Sequence, residues 1–324
     1  MDALSDVLKT IRLDGAIYVD AEFTAPWCIN ARYGFAHIRE RLPQADHLLF
    51  FHFLVEGRCK VRLADGADAI EAQAGDLILF AKDEKHLMGS DLAWPAMLVD
   101  EIAARHDAQA SSMQSLRLGG GGETTKFVCS YLVCSRAVYR PLLEALPRVV
   151  RIPVGDGPAA SVVRELLRAG VTESSASRPG ADSMLAKLAE LLFIEAMRRY
   201  VDTLPPEGQG WLAGVRDPQV GHALALLHAD PSKPWTVDDL ARQVALSRSA
   251  LADRFTSLVG ESPIQYLVRW RLALAAQALR TTGESLARIA GRAGYESEAA
   301  FSRAFKREFA LPPAAWRKAQ SRAE

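Results

Sequence analysis

Ser297-Glu-Ala-Ala-Phe-Ser-Arg-Ala-Phe-Lys-Arg-Glu-Phe309 carries the pattern from which the rest of the chain is read. Phe301, Phe305 and Phe309 recur every fourth residue, so on a helix they form one aromatic stripe that needs a core to cover it. Ser302, Arg303, Lys306 and Arg307 fall on the other faces. An aromatic back and a basic, hydroxyl-bearing front suit a major groove, where phosphates and base edges both present acceptors.

Working outward, the same unit appears twice. A shift of fifty positions places Leu251 on Phe301, Phe255 on Phe305, Val259 on Phe309 and Pro263 on Pro313, while forty-nine places Leu240 on Ile289 and Ala241 on Ala290. Each unit reads as helix, turn, helix. Asp217-Pro218 supplies an N-cap and an N1 proline for a helix before the first unit. Thr236 caps the next, with Asp239 at the capping-box position, and Ser247 opens the helix bearing Leu251, Phe255 and Val259. Ser262-Pro263 begins a connecting helix, Ile264 to about Arg280, that can hold two readers in successive major grooves, roughly 34 Å apart.

Trp235-Thr-Val-Asp-Asp-Leu-Ala, Ser247-Arg-Ser-Ala-Leu, Trp270-Arg-Leu, Ile289-Ala, Gly294-Tyr-Glu-Ser and Phe301-Ser-Arg-Ala-Phe-Lys-Arg together resemble the AraC/XylS-type transcriptional regulators. Ala310 departs from the pattern, standing where the family usually has a glycine that ends the recognition helix. The resemblance implies a regulator or activator that binds double-stranded promoter DNA and works with RNA polymerase, and a long apolar helix upstream adds the expectation of a homodimer. With helix geometry it assigns DNA contacts to Arg248, Ser249 and Arg254 in the first reader. In the second it assigns them to Ser297, Glu298, Ser302, Arg303, Lys306 and Arg307. Arg248, Ser249, Glu298 and Ser302 lie near helix N-termini and are expected to specify bases, and Lys306 and Arg307 to hold phosphates.

The whole chain of 324 residues has zero net charge, but the charge is unevenly spread. From Asp217 onward 15 Lys and Arg face 11 Asp and Glu, a balance of +4, which leaves −4 for the remainder. A basic C-terminal third on an acidic N-terminal part fits a nucleic-acid module joined to a sensor. The opening Met-Asp-Ala-Leu-Ser-Asp has neither a basic start nor an apolar core, so no secretory leader is expected. No apolar run reaches the roughly 18 residues of a membrane span, and the expected location is the cytoplasm.

Upstream, Ala16 to Val19, Leu48 to Val55, Cys59 to Leu63, Asp76 to Phe80 and Phe127 to Val133 read as short strands of a small barrel or sandwich. Gly75 to His86 resembles the second motif of the cupin barrels, although Ala81 replaces its proline and Asp83 its glycine. His52 and Glu56 partly match the first motif, with Phe50 in place of its other histidine. His52, Glu56 and His86 are therefore candidate metal ligands, and a cupin-type metalloprotein with an accessory DNA module is the alternative reading. The departures favour a barrel without metal, and no cofactor is assigned. By the same resemblance the barrel senses a small effector or an oxidant.

The four cysteines form no disulfide framework. Cys28, in Pro26-Trp-Cys-Ile with Arg32 nearby, is the candidate redox sensor in a polar loop. Cys129 and Cys134 are five apart on one strand, about 17 Å, and do not pair. Gly119 to Gly122 precedes no Gly-Lys-Ser/Thr and reads as a turn, not a phosphate cradle. A short helix near Leu142 and a strand at Val149 to Ile152 are followed by helices Ala159 to Ala169 and Asp182 to Tyr200. The second carries Leu185, Leu188, Leu191, Leu192 and Met197 on one stripe, which is expected to dimerise. The expected architecture is α+β multidomain. A cupin-like sensor β-barrel spans 1–155, a helical pair for dimerisation 156–201 and a linker 202–216. An all-α domain with two helix-turn-helix motifs spans 217–324.

Overall fold

A computed structural model describes residues 2–9, 18–31, 47–66, 68–82, 84–98, 113–134, 136–154, 161–162, 165, 180–205 and 208–321. It divides into two compact units: one of Met1–Ile11, Ser135–Ala145 and Leu204–Glu324, the other of Arg12–Cys134 and Leu146–Thr203.

The second unit is built on two sheets. β1 (Tyr18–Thr24), β3 (His47–Glu56), β6 (Asp76–Phe80), β9 (Met113–Gly119), β10 (Thr124–Cys134) and β11 (Val149–Pro153) form the six-stranded sheet, ordered β11-β6-β3-β10-β1-β9. β2 (Cys28–Ala31), β4 (Arg58–Leu63), β5 (Ile70–Gln73), β7 (His86–Gly89) and β8 (Met97–Leu98) form the five-stranded one, ordered β5-β4-β7-β2-β8. The two pairings β1 with β9 and β2 with β8 are parallel, and the other pairings are antiparallel. Alternation places Phe23, Ile29, Phe50, Val61, Ala72, Phe80, Met88 and Phe127 in one core drawn from both sheets. Strand expectations hold for the described residues, while 16–17 and most of 159–169 lie outside them.

Gly119 to Gly122 is a turn, held by Gly120 N–H donating to Thr24 O at 2.9 Å and Gly122 N–H donating to Ala25 O at 2.8 Å. A Cβ on Gly119 would stand 2.1 Å from Thr24 Oγ1, so the glycine is required by close backbone approach.

α1 (Ala3–Lys9), α2 (Arg136–Ala145) and α3 (Ala181–Thr203) come next in chain order. On α3, Leu188, Leu192 and Met197 are buried inside the same chain, whereas Leu191 is exposed. Part of the apolar stripe is thus used for packing within the chain, with Leu191 left exposed; the side chain of Leu185 lies outside the described residues. α4 (Trp211–Arg216) occupies much of the expected linker, with Trp211 and Leu212 buried. The composition that suggested a linker stops at Gly210, where Trp211 begins to fill a core.

The helical unit continues with α5 (Pro218–Ala229), α6 (Val237–Gln243), α7 (Arg248–Val259), α8 (Pro263–Thr281), α9 (Leu286–Arg292), α10 (Glu298–Phe309) and α11 (Pro313–Ser321). It also takes in α1, packed on α4 and α5, and α2, packed on α4 and α8. Residues 1–11 and 135–145 therefore group with the helices, not with the expected domain over 1–155. α1 buries Ala3, Leu4, Val7 and Leu8, and α2 buries Val138, Tyr139, Leu142 and Leu143, apolar faces of helices packed on α4, α5 and α8.

Burial also sets the state of three histidines. His228 stacks on Trp270 at 4.1 Å between centroids and meets the Tyr266 hydroxyl at 2.7 Å; burial pushes its pKa down to about 3. Burial likewise lowers His86 to about 4 and His52 well below the ordinary value, with each imidazole facing the other. A histidine whose folded pKa lies below its unfolded one binds more protons when unfolded, so stability falls as pH drops below about 6.5. Urea unfolding is expected to show less stability at pH 5 than at pH 7.5, with His228 alone contributing about 2 kcal/mol of the loss. Equal or greater stability at pH 5 would contradict this.

Candidate nucleic-acid interface

Each reader is assembled by its caps. Thr236 Oγ1 accepts from Asp239 N–H at 3.1 Å and Asp239 Oδ2 accepts from Thr236 N–H at 3.3 Å, completing the expected capping box of α6. Ser247 Oγ accepts from Ala250 N–H at 3.2 Å and opens α7; Ser297 Oγ does the same for Ala300 and opens α10. The Ser297 hydroxyl retains a proton for an outside acceptor, while that of Ser247 also lies 3.3 Å from the Ser249 hydroxyl.

The backs of the recognition helices are closed. Leu251 and Phe255 are buried on α7, and Phe301, Ala304 and Phe305 on α10. Tyr295, Phe301, Phe305, Phe309 and Trp316 form a continuous run of ring contacts, with successive centroids 4.5–5.6 Å apart. Leu272, Leu279 and Ile289 complete that core.

Their fronts remain open. Arg248, Ser249, Ser297, Glu298, Arg303, Lys306 and Arg307 are exposed and Ser302 is half-buried. Among the described residues Arg303, Lys306 and Arg307 make no ion pair, so the second reader presents an uncompensated cationic front. The first differs: Arg248 lies 3.4 Å from Asp238 of α6. Arg254 is turned back, its Nε donating to Asp217 Oδ2 at 2.8 Å, while Asp217 also caps α5 through Gln219 and Val220 N–H. Arg254 thus ties the recognition helix to the preceding helix through Asp217, with its side chain still half-exposed. On the far side, Arg140 of α2 pairs with Glu308 at the end of α10 at 2.9 Å, a contact across 168 residues that no local pattern announces.

In the strand unit the metal candidates do not converge. His86 Nδ1 lies 2.9 Å from Glu84 O and donates to it, which leaves His86 Nε2 to accept from His52 Nε2–H at 2.9 Å. His52 Nδ1 then accepts from the Cys129 thiol at 2.6 Å. Every ring nitrogen is occupied, and Glu56 instead pairs with Lys126 at 3.0 Å on the surface. No three His, Cys, Asp or Glu among the described residues stand as a ligand set, and His52, Glu56 and His86 do not fit a metal.

Cys28 is a correction of the same kind. It lies on β2, not in a polar loop, and is 1% exposed. Burial, reinforced by Asp91 and opposed by Arg62, pushes its thiol pKa up, the reverse of what a thiolate sensor needs; Arg32 lies outside the described residues. All four cysteines are buried thiols outside any disulfide. An open cleft of about 780 Å³ on this unit is lined by Arg58, Lys60, Glu71, Glu123, Thr125 and Arg151, with Arg58–Glu123 and Lys60–Glu71 pairs at 3.2 and 3.8 Å.

Paired helix-turn-helix units with cationic recognition helices define a DNA-binding protein. A cupin family model matches residues 2–202 and a helix-turn-helix domain model residues 240–319. The chain is 34% identical to an AraC-like transcription regulator of Streptomyces lividans, with 98% of each chain covered. It is 31% identical to the HTH-type transcriptional regulator AlkR of Acinetobacter baylyi, over 98% of this chain and 99% of that one. The solved DNA-binding domain of AdpA in complex with a target DNA is 33% identical over 33% of this chain and 96% of that chain, with a TM-score of 0.31. The chain belongs to the AraC-type transcriptional regulators that join an N-terminal cupin domain to a C-terminal helix-turn-helix domain, and it binds DNA to regulate transcription.

Two outcomes follow from the geometry. Ala310 ends α10 at φ 60, where its counterpart Gly260 ends α7 at φ 85. Replacing Ala310 with glycine removes left-handed strain and is expected to raise stability by about 0.5–1 kcal/mol in urea unfolding. Cys28 in the native chain is expected to react with a thiol reagent at least ~100-fold more slowly than in urea, because reaction requires exposure and the thiolate. A native rate close to the unfolded one would restore the redox reading.

Proposed function

We propose that the regulator seats α7 and α10 in successive major grooves on one face of promoter DNA, with the two readers working differently. The observation that carries this is the sorting of charge. Arg303, Lys306 and Arg307 stand unpaired on α10, whereas Arg248 on α7 has Asp238 beside it. Free cations bind phosphate of any sequence. An arginine already paired in the free protein exchanges that partner only for acceptors placed to receive its fork, such as a guanine edge, and so discriminates. Ser249, Glu298 and Ser302 are assigned to base edges, and Ser297, at its N-cap, to a phosphate. We also assign the mixed-charge cleft around Arg58, Lys60 and Arg151 to a small polar effector of the cupin domain, its size lying in the range of small-molecule sites.

In this reading the chain acts in the cytoplasm as a homodimer that presents RNA polymerase to its promoter as an activator. No helix among the described residues is long and apolar enough to cross a membrane. The dimer face lies elsewhere than the buried stripe of α3.

The test is a salt titration of binding to a duplex selected by the full chain and to a random duplex. Arg248→Ala is expected to cost about 1–3 kcal/mol on the selected duplex and little on the random one. Arg307→Ala is expected to weaken both and to lower the slope of log K against log salt by about 0.9. Equal losses on both duplexes for Arg248→Ala would overturn the assignment.

A further inference from the structure

Arg271 lies on α8 between the two readers and touches both. Its Nε donates to Pro231 O, and its Nη2 donates to Ser232 O at 3.3 Å and to Lys233 O at 2.8 Å. These three carbonyls belong to the loop that leads into α6, the first helix of reader one. The other face of the guanidinium lies against the turn of reader two, between α9 and α10. A Cβ built on Gly294 would stand 2.9 Å from Arg271 Cζ and 3.0 Å from Nη1. Gly294 also has φ +77, so the turn is both left-handed and shaved to admit the guanidinium. Burial depresses the pKa of the guanidinium, while Asp230 from the first side and Tyr295 from the second act in the opposite sense.

The equivalent turn in reader one needs no such space. Ala245, forty-nine residues earlier, takes φ 55 with a side chain in place. The glycine of reader two is thus tied to the presence of Arg271.

We infer that Arg271 is a positioning residue that fixes the relative orientation of the two readers, and so the spacing of half-sites the protein accepts. The inference rests on the two-groove reading above. The connecting helix shares its apolar side with both readers, through Tyr266 against Phe255 in one and Leu272 and Leu279 in the other, but such packing is non-directional. A planar fork bound to one reader's loop and packed against the other reader's turn removes the freedom that this leaves, and its rigidity is what a flexible ammonium lacks. Two readers held in one register bind a two-block site without a separate ordering cost, which loose readers incur at every encounter.

The experiment uses the full chain and a duplex selected by it from a random pool, together with the same duplex carrying a two-base-pair insertion between its blocks, and one with the second block scrambled. For the wild type the insertion is expected to cost at least ~30-fold in affinity, since two base pairs rotate one block well off the shared face. Arg271→Ala is expected to bind the intact site about 10-fold more weakly, to lose under ~3-fold more on insertion, and to bind the single-block duplex within ~2-fold of wild type. Arg271→Lys should behave like alanine, with an unchanged salt slope. Gly294→Ala should widen spacing tolerance in the wild type, with the effect largely lost in the Arg271→Ala background.

An Arg271→Ala variant that keeps the wild-type insertion penalty overturns the inference. So does rescue by lysine with a salt slope that falls in the alanine variant, which would make Arg271 a phosphate contact. A wild type indifferent to the insertion and to the scrambled block instead overturns the two-groove reading itself.

Discussion

Burial of Phe301 and Phe305 is the constraint on which the second reader depends. Both rings are withdrawn from water, and fully burying a phenylalanine is worth about 2–3 kcal/mol, far more than any single exposed ion pair on the same helix. The rotation of α10 about its own axis is therefore decided by its apolar back against Leu272, Leu279, Ile289 and Trp316. Its cations point outward as a consequence. Leu251 and Phe255 do the same for α7, so the two recognition faces are set by packing before any DNA is met.

Charge then distinguishes helices that look alike in composition. Asp217, the N-cap of α5, also holds Arg254, and Glu284 takes both Arg288 and Arg292 beside α9. Arg140 reaches Glu308 from a helix that lies, in the chain, between β10 and β11. What remains unpaired is concentrated on α10. A modest net charge of +4 thereby becomes a directed cationic front, because Asp217, Asp239, Glu261, Glu284 and Glu308 pair with other arginines of the fold.

The cupin unit shows how a fold persists after its motif has changed. The sheets close on an apolar core in which His52, His86 and Cys129 bond to one another and to Glu84 O, so that every imidazole nitrogen is already engaged. In the low-dielectric core both imidazoles stay neutral, and Cys28, behind its strand, stays a thiol. Polar chemistry on this unit lies outside the core, at the cleft between Arg58 and Glu123.

The sequence by itself determined what depends on near neighbours. Phe301, Phe305 and Phe309 at helical spacing, the Thr236–Asp239 box, the caps at Ser247, Ser297 and Asp217, and the fifty-residue repeat are all relations within one or two turns, or between copies of one unit. Periodicity and capping are short-range, so both readers and their connecting helix were legible. Tertiary structure alone decided the rest. It paired Arg254 with Asp217, buried Cys28, separated Glu56 from the histidines, and recruited residues 3–9 and 136–145 to the helical unit. It also set Arg271 against Gly294. Each of these depends on which distant group lies within a few ångströms of a side chain. Coulomb energy, desolvation and steric contact are functions of that distance, and the order of residues along the chain does not specify it.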